Sequence, residues 1–299
     1  MKTTLLSRFR KTGFVGLVAI LLLALGAAAW TVPQPVLPKG ERGRSPISTV
    51  DAEGCELENR AFSVGERITY KLYYKLGFLW FAAGEIEFKV EDAGDQYKLS
   101  ALGKTYESYE WFFKVRDYYE SYVDKETLLP VRTVRDIAEG KYTMYEYVEY
   151  DQETGNGMGY RGHTKEEAMA APVAFEIDNC LRDVLSAVYF MRNLELERAQ
   201  PREEYPVTIL MDRKKYPLGV RFLGKTERKR IKGLGDFDVY EISPEVVAGD
   251  VFSEDSEMRV WTSTAVSHVP LQIESPLSVG SVKAILKEHE NLRYDLAAK

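Results

Sequence analysis

Residues 68–76 alternate with a period of two. Ile68, Tyr70, Leu72, Tyr74 and Leu76 fall on one side of an extended chain, and Thr69, Lys71, Tyr73 and Lys75 on the other. A strand sorts these two sets onto opposite faces, whereas a helix would scatter both round its circumference, so the segment buries its apolar set as part of a sheet. The pattern returns with Ile86, Phe88 and Val90 set against Glu85, Glu87 and Lys89, and the turn EDAGDQ leads from it into YKLSALG, a hairpin partner. Further segments of this kind occupy 114–124, 130–137, 141–151, 205–210, 218–223, 236–242, 258–262, 269–274 and 279–286. Turn residues punctuate them at Gly140, from Gly155 to Gly159, from Gly233 to Gly235, and at Pro270 and Pro276. Connections this short favour antiparallel neighbours, because parallel strands need a crossover of a dozen residues or more.

One segment departs from the pattern. In DNCLRDVLSAVYFMRNL, Leu181, Val184, Leu185 and Val188 recur at helical spacing, with Asp178 or Asn179 placed to cap the start, which predicts a helix over about 179–194. Asp183 and Arg192 are too far apart on it for an i,i+4 pair, so each needs a partner from the sheet. A single helix between two strand-rich halves predicts a mainly β fold. The expected form is a large curved antiparallel sheet or incomplete barrel with one central helix packed across its opening. This texture runs over 55–295, which one domain can accommodate.

The N-terminus adds a compartment. Lys2, Arg8, Arg10 and Lys11 precede an apolar run over 13–30 that ends in three alanines. A basic start, a short apolar core and an A-x-A step form a secretory signal cut after Ala29. The rival is an uncleaved anchor, since the run approaches the roughly 17 residues that span a thin bilayer. Residues 30–54, rich in Pro, Gly and Ser, read as a disordered spacer. Removing the four basic residues from a formal net charge of −6 leaves −10, and so acidic a chain makes nucleic acid an improbable partner. Cys55 lies too far beyond the apolar run to be a lipidation site. In an oxidising compartment it and Cys180 are expected to form one disulfide, the alternative being two buried thiols.

Several short motifs share one order along the chain. They are Phe62, Gly65, Glu66 and Tyr70; Ala83, Gly84 and Glu85; FFKVRDYYESYVD; Asp183 with LSAVYFMRNL; and Val260, Trp261 with VPLQIESPLSVGSVKAIL. In this order the sequence resembles an uncharacterised bacterial envelope family, domain-of-unknown-function family 3108. The resemblance implies a mostly β protein exported past the inner membrane to the periplasm or envelope of a Gram-negative bacterium. It supplies no catalytic residues.

No catalytic, metal or cofactor constellation is expected from the residues. His163, His268 and His289 have no ligand spacing. There is no G-x-S-x-G, and Ser186 sits mid-helix rather than on a strained elbow. Glu66, Glu85, Asp117 and Asp183 fit a solvated outer face or structural pairs better than a glycosidase pair. Two features point to binding. In GFLWFAAGE, the run Phe78, Leu79, Trp80 and Phe81 cannot all face one side of a sheet, so a second cover, a ligand or a membrane must meet the other side. Phe78, Trp80, Phe81, Trp111 and Phe112 are therefore candidates for an apolar groove between sheet and helix. In KTERKRIKG, Lys225, Arg228, Lys229, Arg230 and Lys232 form either a solvated hairpin or a contact for an anionic headgroup. The expected function is a non-catalytic binding module for a lipid, glycolipid or other amphipathic envelope molecule. The alternatives are an assembly factor acting through envelope proteins and, more remotely, a polysaccharide-active enzyme. Membrane association is expected if the N-terminal segment is kept.

Overall fold

The computed structural model describes residues 55, 57–111, 113–177, 180–247, 256–278 and 280–296. The expected signal segment and spacer, the Asp178/Asn179 cap and Phe112 lie outside them. The first half of the chain contributes β1 (Arg67–Leu76), β2 (Leu79–Ala93), β3 (Gln96–Thr105), β4 (Val115–Asp124), β5 (Pro130–Glu139), β6 (Tyr142–Asp151), β7 (Asn156–Gly162) and β8 (Pro172–Glu176). The second half contributes β9 (Glu204–Met211), β10 (Lys214–Ile231), β11 (Gly235–Pro244), β12 (Arg259–Ser263), β13 (Pro270–Pro276) and β14 (Ser281–Glu290). Two short helices, α1 (Glu107–Glu110) and α2 (Lys165–Met169), lie in connections, and α3 (Val184–Arg192) joins the halves.

All fourteen strands form one antiparallel sheet in the order β8-β7-β6-β5-β4-β3-β2-β1-β14-β13-β12-β11-β10-β9. The first and last strands therefore meet at its centre, and β8 and β9, neighbours in sequence, are its two edges. The sheet is not closed. The chain must cross from one edge to the other, and α3 is that crossing, as the helical spacing between two β halves predicts. Register shifts at Thr69/Tyr70 against β14 and at Leu72/Tyr73 against β2 bend the central strands, because a bulge adds local twist.

The alternation read from sequence is realised. Ile68, Tyr70, Leu72 and Tyr74 are buried, as are Ile86, Phe88 and Val90. Inside the curved sheet α3 is buried nearly all round, at Val184, Leu185, Ser186, Ala187, Tyr189, Phe190 and Arg192. It is shorter than expected and begins at a different cap. Asp183 accepts hydrogen bonds from the Leu185 and Ser186 amides, at 2.8 and 3.3 Å, and Ser186 Oγ accepts one from the Asp183 amide. Just before the cap the chain is extended against β9: the Arg182 amide donates to Thr208 O and the Leu210 amide to Arg182 O. That pairing holds Arg182 out of the helix.

Strands β7 and β8 were not anticipated, because Gly155, Gly157 and Gly159 read as a turn. Gly157 instead lies in β7 beneath the ring of Phe175 on β8, where a Cβ would come within 2.2 Å of that ring. The open seam is tied by charge. Arg135 on β5 donates to Glu146 on β6 at 2.8 Å and to Asp212, beyond β9, at 3.0 Å; Arg161 on β7 pairs with the same Asp212. Cys55 and Cys180 are disulfide-bonded with their Cα atoms 5.2 Å apart, as expected.

Candidate functional site

Between α3 and the concave face of the sheet lies an apolar cavity. The helix supplies Val184, Ala187, Val188 and Met191, and strands β9 to β12 supply Val207, Ile209, Leu218, Val220, Ile242 and Val260. Alternation explains why these side chains converge: each is the inward member of its strand. The cavity measures about 90 Å³, and the unfilled space reaches about 1010 Å³ when its open mouth is counted. Leu218, Gly219 and Glu245 stand at the open side, where Glu245 is exposed and its carboxylate accepts from the Gly219 amide at 2.7 Å.

The other end is polar. Arg192, the last residue of α3, donates to both oxygens of Glu66 at 2.6 and 2.9 Å, and to Ser267 O at 3.1 Å. Burial works against the Arg192 charge, but the Glu66 carboxylate more than offsets this and holds its pKa above the ordinary guanidinium value. His268 approaches Arg192 O through Nδ1 at 3.1 Å, and burial pushes its pKa below the usual imidazole value, so at neutral pH it carries no charge. Burial also raises the Tyr70 and Tyr189 phenols well above their usual range. The polar end therefore presents no net charge. The Thr262 hydroxyl, on the cavity wall and buried, makes no hydrogen bond among the described residues.

The model of a family described as "Protein of unknown function (DUF3108)" matches residues 69–287. The chain belongs to that family. This member of it also resembles two solved structures. One is a beta-barrel-like protein of a second unknown-function family, DUF1849, from Brucella abortus, at 12% identity and a TM-score of 0.49, over 79% of this chain and 100% of that one. The other is a candidate exported protein with a YmcC-like fold from Bacteroides fragilis, at 9% identity and a TM-score of 0.27, over 78% of this chain and 99% of that one. No curated protein matches the chain.

The residues singled out by sequence lie elsewhere in this DUF3108 chain. Phe78, Trp80, Phe81 and Trp111 are not among the cavity's lining residues. Phe78 is 86% and Trp111 83% exposed, and Leu79, Trp80 and Phe81 are each more than one-third exposed. The reason is position along β2: burial begins at Ala83, and strict alternation follows only from there. Neither the helix nor the connection carrying Trp111 covers the first three residues of the strand. The basic candidates run along the far part of β10 and its turn, away from Gly219. Lys229 lies over the Trp261 ring at 4.0 Å and Arg230 pairs with Asp236 at 3.3 Å.

The carboxylates considered for catalysis are dispersed. Glu66 holds Arg192, Asp183 caps α3 and accepts from Ser121 Oγ at 2.7 Å, and Glu85 accepts from the Tyr106 hydroxyl at 2.8 Å. Asp117 is buried beside Glu139, away from the cavity. Sequence reasoning missed Thr262 and His268 as cavity residues, and no local pattern marks them. Thr262 is placed by the register of β12, and His268 by the β12–β13 connection folding back onto the Arg192 carbonyl.

Proposed function

We propose that this chain is an exported binding module, working in the periplasm, that takes the apolar end of an amphipathic envelope molecule between α3 and the sheet. The observation that carries this is a cavity walled mostly by aliphatic side chains, open at one end and charge-neutral at the other. Each methylene moved there from water gains about 0.8 kcal/mol. A cavity of about 90 Å³ is smaller than the roughly 150 Å³ that holds a benzene ring. It fits the end of a chain, with the remainder lying in the mouth. Because Glu66 already engages Arg192 and Glu245 stands at the mouth, an anionic headgroup finds no spare cation there, so the site suits a neutral or cationic headgroup. Thr262 offers one hydroxyl to a neutral polar group. The basic-apolar-alanine N-terminus and the Cys55–Cys180 bridge support export.

The test uses the full chain and cis-parinaric acid as its neutral methyl ester, a linear polyene fatty acid whose chain end is narrow enough for the cavity and which brightens when removed from water. Saturable brightening is expected, competed by single-chain detergents and abolished by Ala187→Phe, which fills the cavity from the helix. Circular dichroism of the variant checks that the fold survives. Equal dye binding by a folded Ala187→Phe and the parent chain would refute the cavity as the site.

A further inference from the structure

We propose that the β1–β2 hairpin tip and the β3–β4 connection form a docking surface that inserts into an anionic lipid bilayer. The hairpin turns over Gly77 and Phe78, and Gly77 has φ +61°, which suits the first central position of a two-residue loop. The tip that follows is Phe78-Leu79-Trp80-Phe81, exposed on both faces of the strand. Gly84 pairs with Thr105, and the Tyr106 amide donates to Ala83 O at 3.0 Å. The β3–β4 connection therefore continues alongside the start of β2 and brings the exposed Trp111 to the same end. With aromatic side chains covering about 150–250 Å² each, the combined apolar surface is on the order of 500 Å². That is at the upper limit of what a monomer leaves open without a use.

Charge complementarity selects the occupant. Lys75 and Lys283 place their ammonium groups 5.8 and 4.8 Å from the Trp80 ring centre, and Lys114 is exposed beside the connection. Glu274 takes one interaction from Lys283 at 2.7 Å, Glu110 faces Lys114 at 3.9 Å, and Glu107 is exposed on α1. Lys283 and Lys114 are thus paired, whereas Lys75 and, behind it, Lys71 over the Tyr73 and Tyr106 rings at 5.7 and 6.0 Å make no ion pair among the described residues, which leaves the surplus positive beside Glu107 in a chain of formal net charge −6. Lys75 pairs with Trp80 across the hairpin and lies three residues behind Phe78, about 10 Å at the rise of a strand. Phe78 in front, with the Trp80 ring and the ammonium groups level with one another behind it, matches an acyl boundary followed by the interface where Trp and Lys both sit. A tip that is apolar on both faces suits a fluid phase better than a flat protein partner.

The placement fits the cavity without depending on it. Counting rungs across the sheet, Lys75 pairs with Ser281 and Ser281 with Pro276; continued one to three residues past the last pairs of β12, β11 and β10, the registers lead that row to Glu245, whose amide donates to Gly219 O. The tip and the cavity mouth thus lie at the same end of the sheet.

The test uses the full chain on vesicles of phosphatidylglycerol and phosphatidylethanolamine, with a nitrobenzoxadiazole label at Phe78→Cys and, as a control, at Asp95→Cys in the β2–β3 turn. The native cysteines are bridged and do not take the label. The expected result is a several-fold rise and blue shift of emission at 78 but not at 95. Trp80→Ser with Trp111→Ser should abolish it, and Lys75→Glu with Lys114→Glu should weaken it. A label at 78 that still reports water while the chain sediments with vesicles overturns the proposal, because the N-terminal segment alone then holds the chain there. Shielding at 78 without vesicles that grows with protein concentration also overturns it, in favour of a second copy. Loss of dye binding in Ala187→Phe leaves the label signal unchanged, so the two readings fail separately.

Discussion

Removing Arg192 should cost more than removing both members of its ion pair would suggest. Arg192 and Glu66 are almost completely buried and joined by two hydrogen bonds of 2.6 and 2.9 Å. At an effective dielectric of about 20, unit charges about 4 Å apart attract by roughly 4 kcal/mol. A buried charge left without its partner costs about 3–5 kcal/mol. Arg192→Met should therefore lower the unfolding free energy by about 3–5 kcal/mol, and Glu66→Leu by a similar amount. In the double variant no charge is stranded. What remains is the loss of donors to Ser267 O and Ala61 O, roughly 1–3 kcal/mol. Guanidinium melts followed by tryptophan fluorescence, without reductant, give the four corners of the cycle. Subtracting the double-variant loss from the sum of the single losses gives an expected coupling of roughly 3–9 kcal/mol. A double variant whose loss equals the sum of the two single losses would refute the reasoning, since the pair would then act as two independent groups.

Three further outcomes follow from the same physics. Burial, reinforced by Asp117, pushes the Glu139 carboxyl up to about 9; the unfolded chain ionises this group near its ordinary value of 4.5, so its contribution is fully present below that pH and is lost as pH rises toward 9. Melts from pH 5 to 9 should show Glu139→Gln gaining stability relative to the parent chain with rising pH, and a constant difference would refute the assignment. Asp183→Ala removes the α3 cap and strands the buried Ser121 hydroxyl, so a loss of about 2–3 kcal/mol is expected in urea melts. Reducing the Cys55–Cys180 bridge opens a loop with a sequence separation of 125, worth roughly 4–5 kcal/mol in the chain-entropy model; paired melts with and without reductant measure it.

Much of the fold was legible because alternation is a local property. Residues 68–74 and 85–90 declare strands by themselves, and the helical spacing at Leu181, Val184, Leu185 and Val188 declares the one element that cannot join the ladder. Boundaries were less legible where long-range contacts set them. The Asp183 cap depends on Arg182 pairing with β9, and Gly157 belongs to a strand because the Phe175 ring lies over it. The candidate site shows the same division. The sequence marked Phe78 to Phe81 as anomalous, but whether those rings line a groove or stand in solvent depends on how far the sheet extends past the helix.

By itself, then, the sequence determined the β texture, the crossing helix and the presence of an apolar run with no inward-only side, and it left Cys55 and Cys180 as either one bridge or two buried thiols. Tertiary structure alone decided that β1 meets β14, that Glu66 reaches Arg192, and that Val207, Val220, Ile242 and Val260 face α3 across unfilled space. The physical reason is separation along the chain. A period of two or of 3.6 is written in adjacent residues, whereas a cavity is bounded by residues more than a hundred positions apart that only the register of a fourteen-stranded sheet brings together.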